Sequence, residues 1–152
     1  MFCENLYEAH QQGIAHRAID LSGVYLSDEQ LYLSSWEWSV NQKLLQQSAH
    51  IKITPDKSPW VDFELKDRPI LTIEDWINAD LYSTGVFTFW LMTGGLPSLY
   101  QGEQQKQLEQ AGYHEQHTLS IACLKMLGPV KERPSSLAEF YQLAFQTSLA
   151  YL

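Results

Sequence analysis

Cysteine is scarce in this chain. Cys3 and Cys123 are the only two, too few for a disulfide framework, and they read as reduced thiols. Long apolar runs are missing as well. The longest, Val86-Phe87-Thr88-Phe89-Trp90-Leu91-Met92, is seven residues with a threonine inside it, against about 20 for a bilayer span. The segment Met1-Phe2-Cys3-Glu4-Asn5 has neither a basic nor an apolar block, so no signal peptide is expected. These absences point to a soluble cytoplasmic protein with no membrane role. Basic residues are few, ten against eighteen acids, and scattered, which argues against nucleic-acid binding. A net charge of −8 on 152 residues is also sparse beside duplex DNA, with a charge about every 1.7 Å, and this disfavours a DNA mimic. Thr93-Gly94-Gly95-Leu96-Pro97-Ser98 lacks the spacing and lysine of a P-loop and the three-glycine dinucleotide fingerprint. It reads as a tight turn that uses glycine at positive φ.

What is present is aromatic mass and acid. Five Trp, eight Tyr and six Phe exclude a disordered chain, and 152 residues suit one domain with a sizeable core. Glutamines such as Gln104, Gln105 and Gln107 read as solvated helix faces. The charge is uneven: −4 over residues 1–50, −3 over 51–80 and −1 over 81–152. The negative field therefore belongs to the first 80 residues.

The pattern predicts an α+β, helix-dominated single domain over residues 1–152, with a small antiparallel β-meander at about residues 50–72. Residues 3–18 form a weak helical stripe of Leu6, Ala9, His10, Ile14 and Ala18. Asp20-Leu21-Ser22-Gly23 reads as a turn. Ser27 with Gln30 suggests a capping box, opening a helix to about Gln47 whose Leu33, Trp36, Val40 and Leu44 face the core. Trp60-Val61-Asp62-Phe63-Glu64-Leu65 alternates as a strand does, with Asp62 and Glu64 on the solvent side. Thr72 caps a short helix with Glu74 and Asp75 in its first turn. Residues 86–92 read as a buried strand, with a helix fitting nearly as well. Helices are expected from Pro97 or Ser98 to Gly112, from Glu115 to Leu127 with Gly128-Pro129 as the stop, and from Ser136, boxed with Glu139, to the end. Trp36, Val40, Phe63, Phe89, Leu119, Cys123, Phe140 and Ala144 are the expected core.

Chemistry is harder to find. His114 and His117 are spaced to share a helix face, but no third ligand stands near them, so no metal site is assigned. Cys123 sits on an apolar face without a partnering base and reads as a core thiol. Cys3 is expected to be exposed. No catalytic residue and no cofactor is assigned. Asp56, Asp62, Glu64, Asp67, Glu74, Asp75 and Asp80 crowd one stretch, and Trp60 and Trp76 lie among them. Aromatic anchors amid charge suit a protein-binding surface. The partner-binding residues expected are Trp60, Asp62, Glu64, Asp67, Glu74, Asp75 and Trp76. The expected function is an acidic protein-binding module of immunity or inhibitor type that neutralises a basic partner such as a toxin. The alternatives are a small enzyme whose pocket the sequence does not display, and a structural or adaptor protein.

Overall fold

The structure is a computed structural model that describes residues 2–47, 60, 62–65 and 72–146. The chain is α+β, with six α-helices and two two-stranded antiparallel sheets among the described residues. It divides into two compact units, Met1–Ser83 and Thr84–Leu152. One helix, Ile73–Thr93, belongs to both.

In the first unit, α1 (Phe2–Gln11) buries Phe2, Leu6 and Ala9, one stripe at helical spacing. It stops seven residues short of the expected end. Gly13 at φ +68° takes the left-handed position that closes a helix. The next two residues, Ile14 and Ala15, are β1, paired antiparallel with β4 (Val40–Asn41) in the register Ile14↔Asn41 and Ala15↔Val40.

The helix expected between Ser27 and Gln47 is corrected over most of its length. β2 (Val24–Ser27) and β3 (Gln30–Leu33) form a hairpin in the register Val24↔Leu33, Tyr25↔Tyr32, Leu26↔Leu31 and Ser27↔Gln30. Its two-residue loop, Asp28 and Glu29, has φ 48° and 62°, the primed turn that matches strand twist. Ser27 and Gln30, spaced like a capping box, face each other across that turn instead. Trp36–Trp38 follows as a single 3₁₀ turn, and only α2 (Gln42–Gln47) is helical. Leu33 and Val40 are buried as expected, Trp36 is half-buried and Leu44 is exposed.

Most of residues 50–72, the place of the expected meander, lies outside the described residues. Within it, Phe63–Leu65 is a 3₁₀ turn and not a strand, and among the described residues the strands lie earlier. Thr72 caps α3 (Ile73–Thr93) as expected. Its hydroxyl accepts the Asp75 N–H at 3.1 Å, and the Asp75 carboxylate accepts the Thr72 N–H at 2.8 Å. The helix is 21 residues long rather than short, and residues 86–92 are its last two turns. Ala15, Val40, Leu65, Trp76 and Ala79 make one core cluster, with Leu45, Ile73 and Ile77 packed against it.

The second unit is helical throughout its described part. α4 (Gln101–Gln110) and α5 (Thr118–Leu127) follow the sequence signals to within about a turn, whereas α6 (Leu137–Phe145) starts as expected but closes at Gln146, φ 53°, short of the expected run to the chain end, whose last six residues lie outside the described ones. The Ser136 hydroxyl accepts the Glu139 N–H, and Glu139 accepts the N–H and hydroxyl of Ser135. Val86, Phe89, Cys123, Met126, Leu137, Phe140 and Ala144 are buried, and Leu119 is half-buried. Gly85 is required by packing: a Cβ there would lie 2.6 Å from the Met126 Cβ, so α3 and α5 touch where no side chain fits. The Cys123 thiol donates to the Gly85 carbonyl at 3.4 Å. Among the described residues no helix is long and apolar enough to cross a membrane.

Candidate functional site

The densest polar assembly in the first unit gathers around Asp80, which the sequence reading left among the surface acids. Asp80 is 1% exposed on α3. One oxygen accepts the His16 backbone N–H at 2.6 Å, and the other accepts the Arg17 N–H at 2.8 Å. The His10 ring donates to the same carboxylate through Nε2 at 3.0 Å. Hydrogen bonds to a charged acceptor are worth about 1.5–3 kcal/mol each, and here they fix the chain just after β1. Arg17 there has φ 72°, which costs an L-residue about 1–2 kcal/mol and persists because the two amides are held.

That turn sets the directions of its side chains. His16 points inward and is fully buried. Its Nδ1 accepts the Ala18 N–H at 3.2 Å, so Nε2 carries the proton and donates to the Ser34 carbonyl at 2.7 Å. Trp36 meets the imidazole edge-on at 4.6 Å. Burial pushes the His16 pKa below its ordinary value, and the ring is held neutral. The Arg17 guanidinium lies 4.3 Å above the centre of the Trp76 ring, a cation–π contact. Burial lowers the Arg17 pKa, and Asp80 opposes that shift. His10 Nδ1, Arg17 Nε and Trp76 Nε1 are buried without a hydrogen-bond partner among the described residues.

Of the residues expected to form a partner surface, Asp62 and Trp76 are buried. Asp62, expected on the solvent side, is fully buried, and it accepts the Glu64 N–H at 3.1 Å to cap the Phe63–Leu65 turn. Trp76 is 5% exposed beneath Arg17. Asp75 is spent on the helix cap. Trp60 and Glu64 are half-buried, and the Trp60 carbonyl accepts from Ser83 at 2.7 Å. Glu74 is exposed. Asp67 lies outside the described residues. Alternation failed as a guide because a cap residue in a short 3₁₀ turn points inward.

Exposed aromatic surface occurs elsewhere in the same unit. Tyr25 and Tyr32, a cross-strand pair, stack at 5.4 Å with ring planes 17° apart. Leu26 is 69% exposed and Trp38 61%. Asp28, Glu29 and Glu37 are exposed among them. No Lys or Arg occurs between Ala18 and Gln42. A hairpin reading of residues 24–33 would have found this surface, since Val24 and a Tyr on each arm favour strand.

The remaining candidates have ordinary partners. His117 packs edge-on against Tyr113 at 5.3 Å, and both His114 and His117 are exposed. No group of three or more His, Cys, Asp or Glu among the described residues could hold a metal ion. Burial pushes the Cys123 thiol up to about 12 and the Cys3 thiol up to about 11. Cys3, expected to be exposed, is half-buried. Gly94 closes α3 at φ +73°, as the tight-turn reading requires. No protein-family model matches the chain, and no curated protein matches it.

Proposed function

We propose that the protein is a binding module of inhibitor or immunity type that docks on a basic protein through the hairpin Val24–Ser27 and Gln30–Leu33 and the adjoining Trp38. One observation carries this reading: Tyr25, stacked on Tyr32 on one face of the hairpin, and Trp38 stand more than half exposed in a stretch with four acids and no base, while Leu26 projects from the other face of the hairpin. Large aromatic side chains supply area at low entropic cost. The four carboxylates of this stretch steer a cationic partner and repel an anionic one, although the Arg17 guanidinium donates to the Trp38 carbonyl at 3.4 Å. Glu74 is exposed at the start of α3, Asp75 closes the cap of that helix, and Asp62 and Trp76 are buried.

A sequence spacing bears on whether the module also carries out chemistry. His16-Arg17-Ala18-Ile19, with Gly23 four residues on, follows the spacing of the protein-kinase catalytic loop, H-R-D-L-x-x-x-N. In that loop the Asp accepts the substrate hydroxyl proton and the Asn holds a metal ion. Ala18 and Gly23 occupy those two places, and neither can perform its task. The match is short, two identities and one conservative exchange, and it supports a binding role over phosphoryl transfer.

One experiment tests both points. The protein is used as bait in extract of its own cells at low and high salt, with Mg·ATP present. A basic protein is expected to be captured at low salt and released at high salt. Trp38→Ala should abolish capture, and Asp28→Asn, Glu29→Gln and Glu37→Gln together should slow association, with the circular dichroism of each variant unchanged. Capture indifferent to Trp38 and to salt would refute the docking surface. Phosphate transferred to the captured protein would refute the non-catalytic reading.

A further inference from the structure

The two edges of the hairpin differ. The Ser34 N–H donates to the Gly23 carbonyl at 2.8 Å, which makes Gly23 and Ser34 a hydrogen-bonded pair. Bonded and non-bonded pairs alternate along an antiparallel ladder. Tyr25↔Tyr32 and Ser27↔Gln30 are therefore bonded, and Val24↔Leu33 and Leu26↔Leu31 are not. The backbone N–H and C=O groups of Val24, Leu26, Leu31 and Leu33 point away from the ladder. On β3 the outward Leu33 carbonyl accepts the Trp36 indole N–H at 3.0 Å, and α1 packs against the strand. On β2 the outward groups of Val24 and Leu26 have no hydrogen-bond partner among the described residues. Val24 is half-buried, and Tyr25, Leu26 and Ser27 are exposed. Such a row of donors and acceptors at strand spacing is a template for another strand.

Charge and side-chain alternation select the occupant. Asp28 and Glu29 are exposed in the turn at the end of β2, and residues 18–42 contain no Lys or Arg. Acids at the end of an open edge repel the same edge of a second copy and attract a cationic segment. The two faces ask for different side chains. Tyr25 and Tyr32 stack on one face, and Leu26 lies on the other. A strand laid antiparallel on β2 sets its residues opposite Val24 and Leu26 on the Leu26 face, and the residue between them beside Tyr25. Aliphatic side chains suit the first places. Arg or Lys suits the second, against a tyrosine ring that is 52% exposed. We infer that β2 takes up an extended segment of the basic partner, alternating basic and aliphatic residues, as a third, antiparallel strand. This rests on the docking reading above and adds to it the form in which the partner is recognised: main-chain bonds to the edge, with charge and alternation choosing the segment.

Fluorescence anisotropy tests the inference, with the full chain titrated at low NaCl into a blocked, dye-labelled peptide of alternating arginine and valine. Residues opposite Val24 and Leu26 turn their N–H groups toward β2. N-methylation of every valine should therefore weaken binding about tenfold or more. N-methylation of every arginine places the methyl groups on the far side and should leave binding within about twofold. Equal effects, or the reverse order, overturn the inference. Leu26→Pro removes one outward N–H and no bond to β3. It should weaken the unmodified peptide about five- to tenfold, with the circular dichroism unchanged. The methylated peptides are read on the wild type alone, so the test stands even where that variant misfolds. Binding that Asp28→Asn with Glu29→Gln removes, but methylation does not touch, overturns strand addition and leaves the acidic docking surface in place. No peptide binding, with a basic protein still captured from extract, has the same meaning. Self-association of the chain that Leu26→Pro abolishes would assign the edge to a second copy and also overturn the inference.

Discussion

His16 has both ring nitrogens committed, one to the Ala18 N–H and one to the Ser34 carbonyl. Protonating Nδ1 would turn an acceptor into a donor facing a donor, inside a site that already disfavours charge. The lowered pKa follows first from that burial, with the Ser34 carbonyl and Asp80 opposing it. The unfolded chain binds the proton near the ordinary pH of about 6.5, and the folded chain binds it only at lower pH. Stability from this group is therefore full above about 6.5 and is lost as pH falls from there toward the folded value. Urea midpoints measured from about pH 8 down to 5.5 should decline more steeply for the wild type than for His16→Gln. Parallel declines would show that His16 does not carry the effect. The spacing around His16 in the sequence does not disclose that its ring is buried, because the turn that aims it inward is held by an acid 64 positions away. The same distance hid Asp80, which counted in sequence as one more member of an acidic run.

Among the elements, the hairpin turn shows where local signals mislead. Ser27-Asp28-Glu29-Gln30 satisfies a capping-box spacing and a type I′ turn equally well, and the turn wins because Tyr25, Leu26, Leu31 and Tyr32 pair across it. Glu29 bears a left-handed φ of 62° that glycine adopts without cost. Glu29→Gly should therefore stabilise the protein by about 1 kcal/mol, raising the thermal midpoint by about 2–4 °C at this size. A lower midpoint would mean that the carboxylate makes a contact worth more than the strain. The signals that held were those with a reciprocal partner or a hard stop: Thr72 with Asp75, Ser135 and Ser136 with Glu139, and Gly128-Pro129 after α5. α1 illustrates the opposite case. Ile14 and Ala18 extend its stripe on paper, but Gly13 ends the helix, and Ala15 and Val40 join a core that only a β-pair can reach.

At the scale of the whole molecule, the α+β class was legible because it depends on helix punctuation and on counts of apolar residues. The place of the sheets was not, since two- and four-residue strands carry almost no periodic signal. The acidic character was equally plain, yet composition does not tell a carboxylate at the surface from one buried as a fastening, as Asp62 and Asp80 are. Net charge still governs colloidal behaviour. With a sequence pI of about 5.0, light scattering from about pH 4 to 8 should find the greatest association near pH 5 and the least near pH 8. Equal scattering at both ends would mean that an apolar surface, and not charge, controls solubility. The Asp80 fastening also has a consequence in time. A ribosome delivers the chain from its N-terminus at about 5–20 residues per second, so the 64 positions from His16 to Asp80 take roughly 3–13 s to appear. The hairpin can close as soon as it emerges, being entirely local. The two amides of His16 and Arg17 must wait for the middle of α3, and until it arrives the turn that aims both side chains is held by water alone.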